Sequence, residues 1–237
     1  MIVDTHNHIG YRKGEYFSAE EMISWMDRAG VDMAVAFGQA EAIDNDYVAA
    51  CARRHPDRLI AWAFLNPWEY GAEEELSRCI TELRMSGLKL NPTRHGFALD
   101  RYSILDPIYK ICAKKSIPII SHGASDLFTM PSKFASVASE YPDLTLILAH
   151  MGLPDAFKSA LRAVKRHPRM YLETAGVPWA AIAEAIEAVG ADRILMGTDA
   201  SWGRFELSIE AVKRATSDSR ERDLIMGENL ARVLGML

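Results

Sequence analysis

Short apolar runs alternate along this chain with longer stretches in which apolar residues recur every three or four positions, and the cycle repeats about eight times. The short runs are rich in Val, Ile and Leu and predict β-strands; the longer stretches predict amphipathic helices. Residues 2–9 predict the first strand and 18–29 its helix, opened by a capping box of Ser18 and Glu21. The next strand–helix pairs are 32–38 with 45–54, 59–66 with 72–85, and 87–91 with 105–115, the last joined by a longer loop. Four more follow: 118–123 with 132–141, 144–152 with 155–166, 170–175 with 179–189, and 193–199 with 205–216. Residues 218–237 remain as a terminal helix or helix pair, expected to pack under or across the rest through its Asn229-bearing end.

Strands separated by helices rather than by hairpin turns imply a parallel sheet covered by helices. Eight such units in about 215 residues imply closure into a (β/α)8 TIM barrel with an extra C-terminal helix. An open doubly wound sheet is the alternative, but no glycine-rich dinucleotide fingerprint follows the first strand. No linker or low-complexity segment divides the chain, so residues 1–237 read as a single domain.

Charge narrows the partners. The net charge of −5 is spread along the chain, and the only basic pairs, Arg53–Arg54 and Lys114–Lys115, read as solvated helix ends. Nucleic-acid binding, which wants a basic face, is therefore not expected. Cys51, Cys79 and Cys112 fall in helical patterns with no CxxC spacing and read as buried free thiols of a reducing compartment. No run is apolar enough for a membrane span, and the N-terminus lacks a signal-peptide pattern, so a cytoplasmic protein is expected. A small-molecule substrate is the expected partner, with no membrane partner and a homodimer as the default assembly.

Candidate chemistry begins on the first strand, in Asp4-Thr5-His6-Asn7-His8. Side chains alternate along a strand, so His6 and His8 share a face about 7 Å apart and could both reach one cation. Alone, this HxH fits one exposed and one structural histidine equally well. Position adds to it: His122, His150 and Asp199 end the fifth, sixth and eighth strands. Barrel enzymes place catalytic groups at such ends, whereas barrel interiors are otherwise filled by branched apolar residues. His55 and His167 precede prolines at helix ends and read as surface or capping residues. Imidazoles with a carboxylate suit zinc, or else manganese, iron or cobalt, better than calcium or magnesium.

With HxH on strand one, single histidines ending strands five and six, and Gly197-Thr198-Asp199 ending strand eight, the chain resembles the amidohydrolase superfamily. The segment Gly87-Leu88-Lys89-Leu90-Asn91-Pro92 and the terminal helix are similar to its amidohydrolase-related, decarboxylase-like branch. The resemblance spans essentially the whole chain. It implies a distorted barrel holding a divalent ion, usually zinc, with His6, His8, His122 and Asp199 as ligands. His150 then acts as an acid/base or polarises a substrate carbonyl. Binuclear members carry a bridging carboxylated lysine or glutamate on strand four; Lys89 sits before that strand's end, which favours one metal, Zn2+ or else Mn2+.

The expected reaction is hydrolysis of an amide, ester or lactone bond in a small carboxylated molecule, by water whose pKa the metal lowers. Asp199 would take the proton and His150 would serve the oxyanion or the leaving group. Non-oxidative decarboxylation of a keto- or aromatic acid is the alternative, and a non-catalytic barrel would have lost a ligand. Arg94, His95 and Arg101 follow strand four, and Trp202 and Arg204 follow strand eight; Arg94, His95, Trp202 and Arg204 are the candidate substrate contacts. Asp4 reads either as an orienter of a ligand or as an independent buried hydrogen-bonding group, and Glu173 as part of the pocket floor.

Overall fold

The structure, a computed structural model, describes residues 1–236; Leu237, the last position of the expected terminal segment, lies outside the described residues. The chain opens with β1 (Val3–Asp4), a hairpin of β2 (Gly10–Arg12) and β3 (Glu15–Phe17), then α1 (Ala19–Ala29). Next come β4 (Met33–Ala36), α2 (Asn45–Arg54), β5 (Leu59–Ala61), β6 (Ala63–Phe64) and α3 (Ala72–Thr81). The middle holds β7 (Leu88–Leu90), a short α4 (Pro92–His95), α5 (Tyr102–Lys115), β8 (Ile119–Ser121) and α6 (Pro131–Glu140). Then follow β9 (Leu146–Leu148), α7 (Phe157–Arg166), β10 (Met170–Glu173), α8 (Trp179–Val189), β11 (Ile194–Leu195) and α9 (Phe205–Ala215). Two short helices, α10 (Ser219–Asp223) and α11 (Asn229–Val233), end it.

Among the described residues, all strand-to-strand pairings except the hairpin are parallel, in the orders β1–β4–β5 and β6–β7–β8–β9–β10–β11. β5 and β6 are one barrel strand interrupted at Trp62, whose N–H donates to Ala36 O at 3.0 Å while Ala63 N–H donates to Gly87 O at 2.8 Å. The other seam lies between the first and last strands: Thr5 N–H donates to Met196 O (2.9 Å), Asp199 N–H to His6 O (2.7 Å) and His8 N–H to Ala200 O (2.6 Å). The eight-stranded barrel expected from the alternating pattern is thus closed.

Strand alternation sorts the apolar residues into two cores. Val35, Trp62, Phe64, Ile120, Ile147 and Leu195 pack inside the barrel, while Ala34, Leu88, Ile119, Leu146 and Leu172 join the larger layer under the helices. At Trp62 the indole takes the space of a missing side chain: a Cβ on Gly87 would lie 2.1 Å from the ring. The terminal helices seal the end of the barrel opposite the site. Buried Asn229 donates from Nδ2 to Ala191 O and Ile194 O, both at 2.8 Å, and Leu230 joins the inner core.

Helix starts follow the expected chemistry. Ser18 caps α1 by accepting from Glu21 N–H at 3.0 Å, and the basic pairs sit in the last turns of α2 and α5. The three cysteines are buried and free. Among the described residues, no helix is long and apolar enough to cross a membrane. The β2–β3 hairpin was not expected. Its two-residue turn places Lys13 and Gly14 at φ 45° and 90°, a geometry that Asn-Gly announces far more strongly than Lys-Gly.

Replacing Gly87 with Ala should force Trp62 out of its seat and lower unfolding stability by about 1–3 kcal/mol. Denaturant unfolding followed by tryptophan fluorescence checks this; an unchanged midpoint would mean the indole relocates freely.

Candidate metal centre

Where the first strand leaves regular pairing, its backbone carries His6 and His8 to the carboxyl end of the barrel, and the segment after β11 brings Asp199 beside them. The ligating atoms of His6, His8 and Asp199 all lie within 4.8 Å of one another. Asp199 Oδ1 is 3.3 Å from His6 Nε2 and 3.5 Å from His8 Nε2. Each imidazole is oriented through its other nitrogen. His6 Nδ1 is 3.1 Å from Glu173 Oε2, and His8 Nδ1 donates to Gly38 O at 2.6 Å. Such partners hold a histidine in the tautomer that presents Nε2 to a metal.

Glu173 also accepts from Ala175 N–H at 2.5 Å, so its carboxylate is pinned at both oxygens. Its approach to His6 needs a glycine opposite: a Cβ on Gly197 would stand 2.0 Å from Glu173 Oε1 and 2.9 Å from His6 Cβ. Two functional residues sit in the left-handed region, His150 at φ 60° and Asp199 at φ 58°. L-residues adopt it at a cost, and such conformations concentrate at functional sites.

His122 and His150 line the same cavity of about 210 Å³, with Lys89, Asn91, Arg94 and Trp202. The His122 ring stands 4.9 Å from that of His150, and its Nε2 is 3.9 Å from Asp126, outside the tight group of three. His150 donates from Nδ1 to Ala175 O at 2.9 Å, leaving Nε2 as its free nitrogen. Of the four candidate substrate contacts, Arg94 and Trp202 line the cavity; His95 and Arg204 do not. His95 Nε2 donates to Ala40 O at 3.0 Å, and the Arg204 guanidinium lies 3.8 Å over Trp25 on α1. These contacts hold both away from the cavity.

Burial is the largest influence on every titrating group here. It holds His6 and His8 well below the usual imidazole range, with Lys89 adding to the effect. It pushes His122 down to about 3 and His150 down to about 4. It also lowers Lys89 and raises Asp199 and Glu173, while the charges of Asp199 and Glu173 oppose the loss of the lysine proton. Sequence reasoning placed Lys89 and Glu173 near the site but missed their contacts. Their signal is a charge inside an apolar strand, as in Leu88-Lys89-Leu90 and Tyr171-Leu172-Glu173. Asn91, also on the cavity wall, carried no such signal.

The donor set fits a divalent cation. Metal ligands must be deprotonated, and the buried imidazoles are held neutral beside a carboxylate. The spot already suits positive charge: Lys89 Nζ stands 2.8 Å from His6 Nε2.

Known proteins share this fold. A family model described as amidohydrolase matches residues 3–236. No curated protein matches the sequence. Among solved structures, an uncharacterised TIM-barrel protein of Bordetella bronchiseptica is 21% identical, with a TM-score of 0.84 over 99% of this chain and 98% of that one. A dihydroxybenzoic acid decarboxylase of Polaromonas, solved with bound manganese and an inhibitor, is 18% identical, with a TM-score of 0.78 over 99% and 97%. A probable 2-pyrone-4,6-dicarboxylic acid hydrolase of Acinetobacter baumannii is 17% identical, with a TM-score of 0.76 over 99% of both chains.

Two outcomes follow from the electrostatics. The unfolded chain protonates His122 and His150 near pH 6.5 while the folded one keeps them neutral, so at these two sites the unfolded state binds more protons below that pH. Chelator-treated wild type should therefore lose stability relative to His122→Gln as pH drops from about 6.5 toward 4, by at most about 1.4 kcal/mol per pH unit, the opposite contributions of the raised Asp4, Asp199 and Glu173 carboxyls cancelling in the comparison. Thermal melts across that window, with His122→Gln as the comparison, check the sign. Glu173→Gln should weaken metal affinity by about 10–100-fold, measured by competitive chelator titration.

Proposed function

The chain belongs to the amidohydrolase family, and from that premise we propose that it is a metal-dependent hydrolase acting on an amide, ester or lactone bond of a small carboxylated molecule. His6, His8 and Asp199 would hold one divalent ion, zinc or else manganese, with His122 supplying a further imidazole from the same cavity. When bound, such an ion supplies Lewis acidity, polarising a carbonyl and lowering the pKa of water.

The hydrogen bonding of His150 supports the choice of hydrolysis. Its Nδ1 hydrogen is spent on Ala175 O, and burial holds the ring neutral, so Nε2 is a bare acceptor at neutral pH. A group in that state takes a proton from water and passes it to a leaving amine or alkoxide. Asp199 lines the same cavity as the second proton acceptor; burial raises its pKa to about 7, an effect that Lys89 opposes. Arg94, half exposed on the same wall, offers a two-pronged contact to a substrate carboxylate. Trp202 supplies an aromatic wall, standing edge-on to His8 at 5.1 Å.

Decarboxylation is the second reading, favoured by the fold shared with the manganese-containing decarboxylase. In it His150 would deliver a proton to carbon, which requires a protonated Nε2 that burial opposes.

Elemental mass spectrometry of the purified protein should find about one divalent ion per chain, and His8→Ala should lose it. His150→Gln should keep the ion and lower kcat by about 10²–10⁴-fold. Acid release from lactones or amides without carbon dioxide supports hydrolysis; carbon dioxide evolved from carboxylic acids would replace it with the second reading.

A further inference from the structure

A second cavity, of about 290 Å³, lies under the β2–β3 hairpin, between it, α1 and Ser201. It adjoins the metal centre. Gly10 and Ser201 on its wall are each two residues from a ligand candidate, His8 and Asp199. The Arg12 guanidinium lies 4.0 Å from the ring of Trp202, and Trp202 in turn lines the metal cavity. One indole thus stands between the two spaces.

Gln39 lines this cavity, is 0% exposed, and has no hydrogen-bond partner at either its Oε1 or its Nε2. Arg12, on the same wall, leaves its buried Nε without a partner. Buried polar atoms are nearly always paired, so three orphans on one wall call for a ligand. The backbone beside Gln39 is fixed independently, because Gly38 O accepts from His8 Nδ1.

The chemistry of the occupant follows from these groups. Arg12 is the wall's single cation, while Glu15 and Glu21 bring two carboxylates, so an anion is not favoured. A glutamine amide presents an acceptor beside a donor, and its complement presents a donor beside an acceptor. Primary carboxamides, lactams and cyclic imides have that edge, and Trp25 and Phe17 supply apolar flanks for it.

We propose that this cavity is a second substrate subsite, in which Gln39 pairs with a carboxamide, lactam or imide and Arg12 Nε donates to its carbonyl oxygen. The reacting bond then lies on the other side of Trp202. Only the identity of that bond rests on the hydrolase reading; binding in the subsite does not.

The test is ligand-observed NMR titration of 2-pyrrolidinone and glutarimide, with N-methylpyrrolidinone as the control that lacks the donor. Wild type, Gln39→Leu and Gln39→Met are compared with and without chelator, the methionine variant serving if the leucine one does not fold. Both lactam and imide should bind wild type, the N-methyl control more weakly. Affinity should drop at least about tenfold in the variants at unchanged metal content. No binding to wild type, or equal affinity in the variants, would overturn the subsite. Binding lost on chelation but not on substitution would place the probe at the metal centre and overturn it too. Gln39-dependent binding in a protein that holds no metal would support the subsite and remove the hydrolase reading instead.

Discussion

One buried carboxylate, that of Asp4, ties together the two strands that deliver the candidate ligands His6, His8 and Asp199. Its Oδ1 accepts from His6 N–H at 2.9 Å, Asn7 Nδ2 at 2.7 Å and Thr198 N–H at 3.3 Å, and its Oδ2 accepts from the Thr198 hydroxyl. These donors lie on both sides of the seam that closes the barrel. The spacing between His6 and Asp199 is therefore set by a carboxylate that touches neither side chain. Burial pushes the Asp4 carboxyl up to about 6 against the opposing pull of those four bonds. Without them an ionised group at this depth would be strongly disfavoured.

The charges around the site are arranged on the same logic. Lys89, Glu173 and Asp199 would each be costly alone; the lysine lowers the cost of both carboxylates and they of it, while the two carboxylates oppose each other. Glu173 meets His6 on one ring nitrogen and Lys89 meets it on the other, so His6 is held from both ends. Rigid placement of this kind serves ligand groups that must converge before any ligand arrives.

The barrel was legible because its signal is repeated: each apolar run and each helical period says the same thing, and eight repetitions leave little room for another topology. His6, His8 and Asp199 were legible because polar residues at strand ends break an apolar pattern. Asp4 was left between two roles; its bonds run to the His6 N–H, Asn7 and Thr198 and to no side chain of the candidate ligands. What could not be read was pairing across space. Nothing local to His95 or Arg204 reveals the Ala40 carbonyl or the Trp25 ring that holds each away from the cavity. Likewise Gln39 looks like any polar residue after a strand, and its isolation exists only once the hairpin folds over it.

Gly197 and Glu173 occupy one shared volume, since any side chain on the first collides with the carboxylate of the second. Neither position can drift alone. Enlarging residue 197 expels Glu173 and frees His6 to turn, whereas shortening residue 173 leaves a void beside the ligand. A descendant with a different pair here would have to cross a variant with an impaired centre, so the two positions should be inherited as a unit and change, where they change, together.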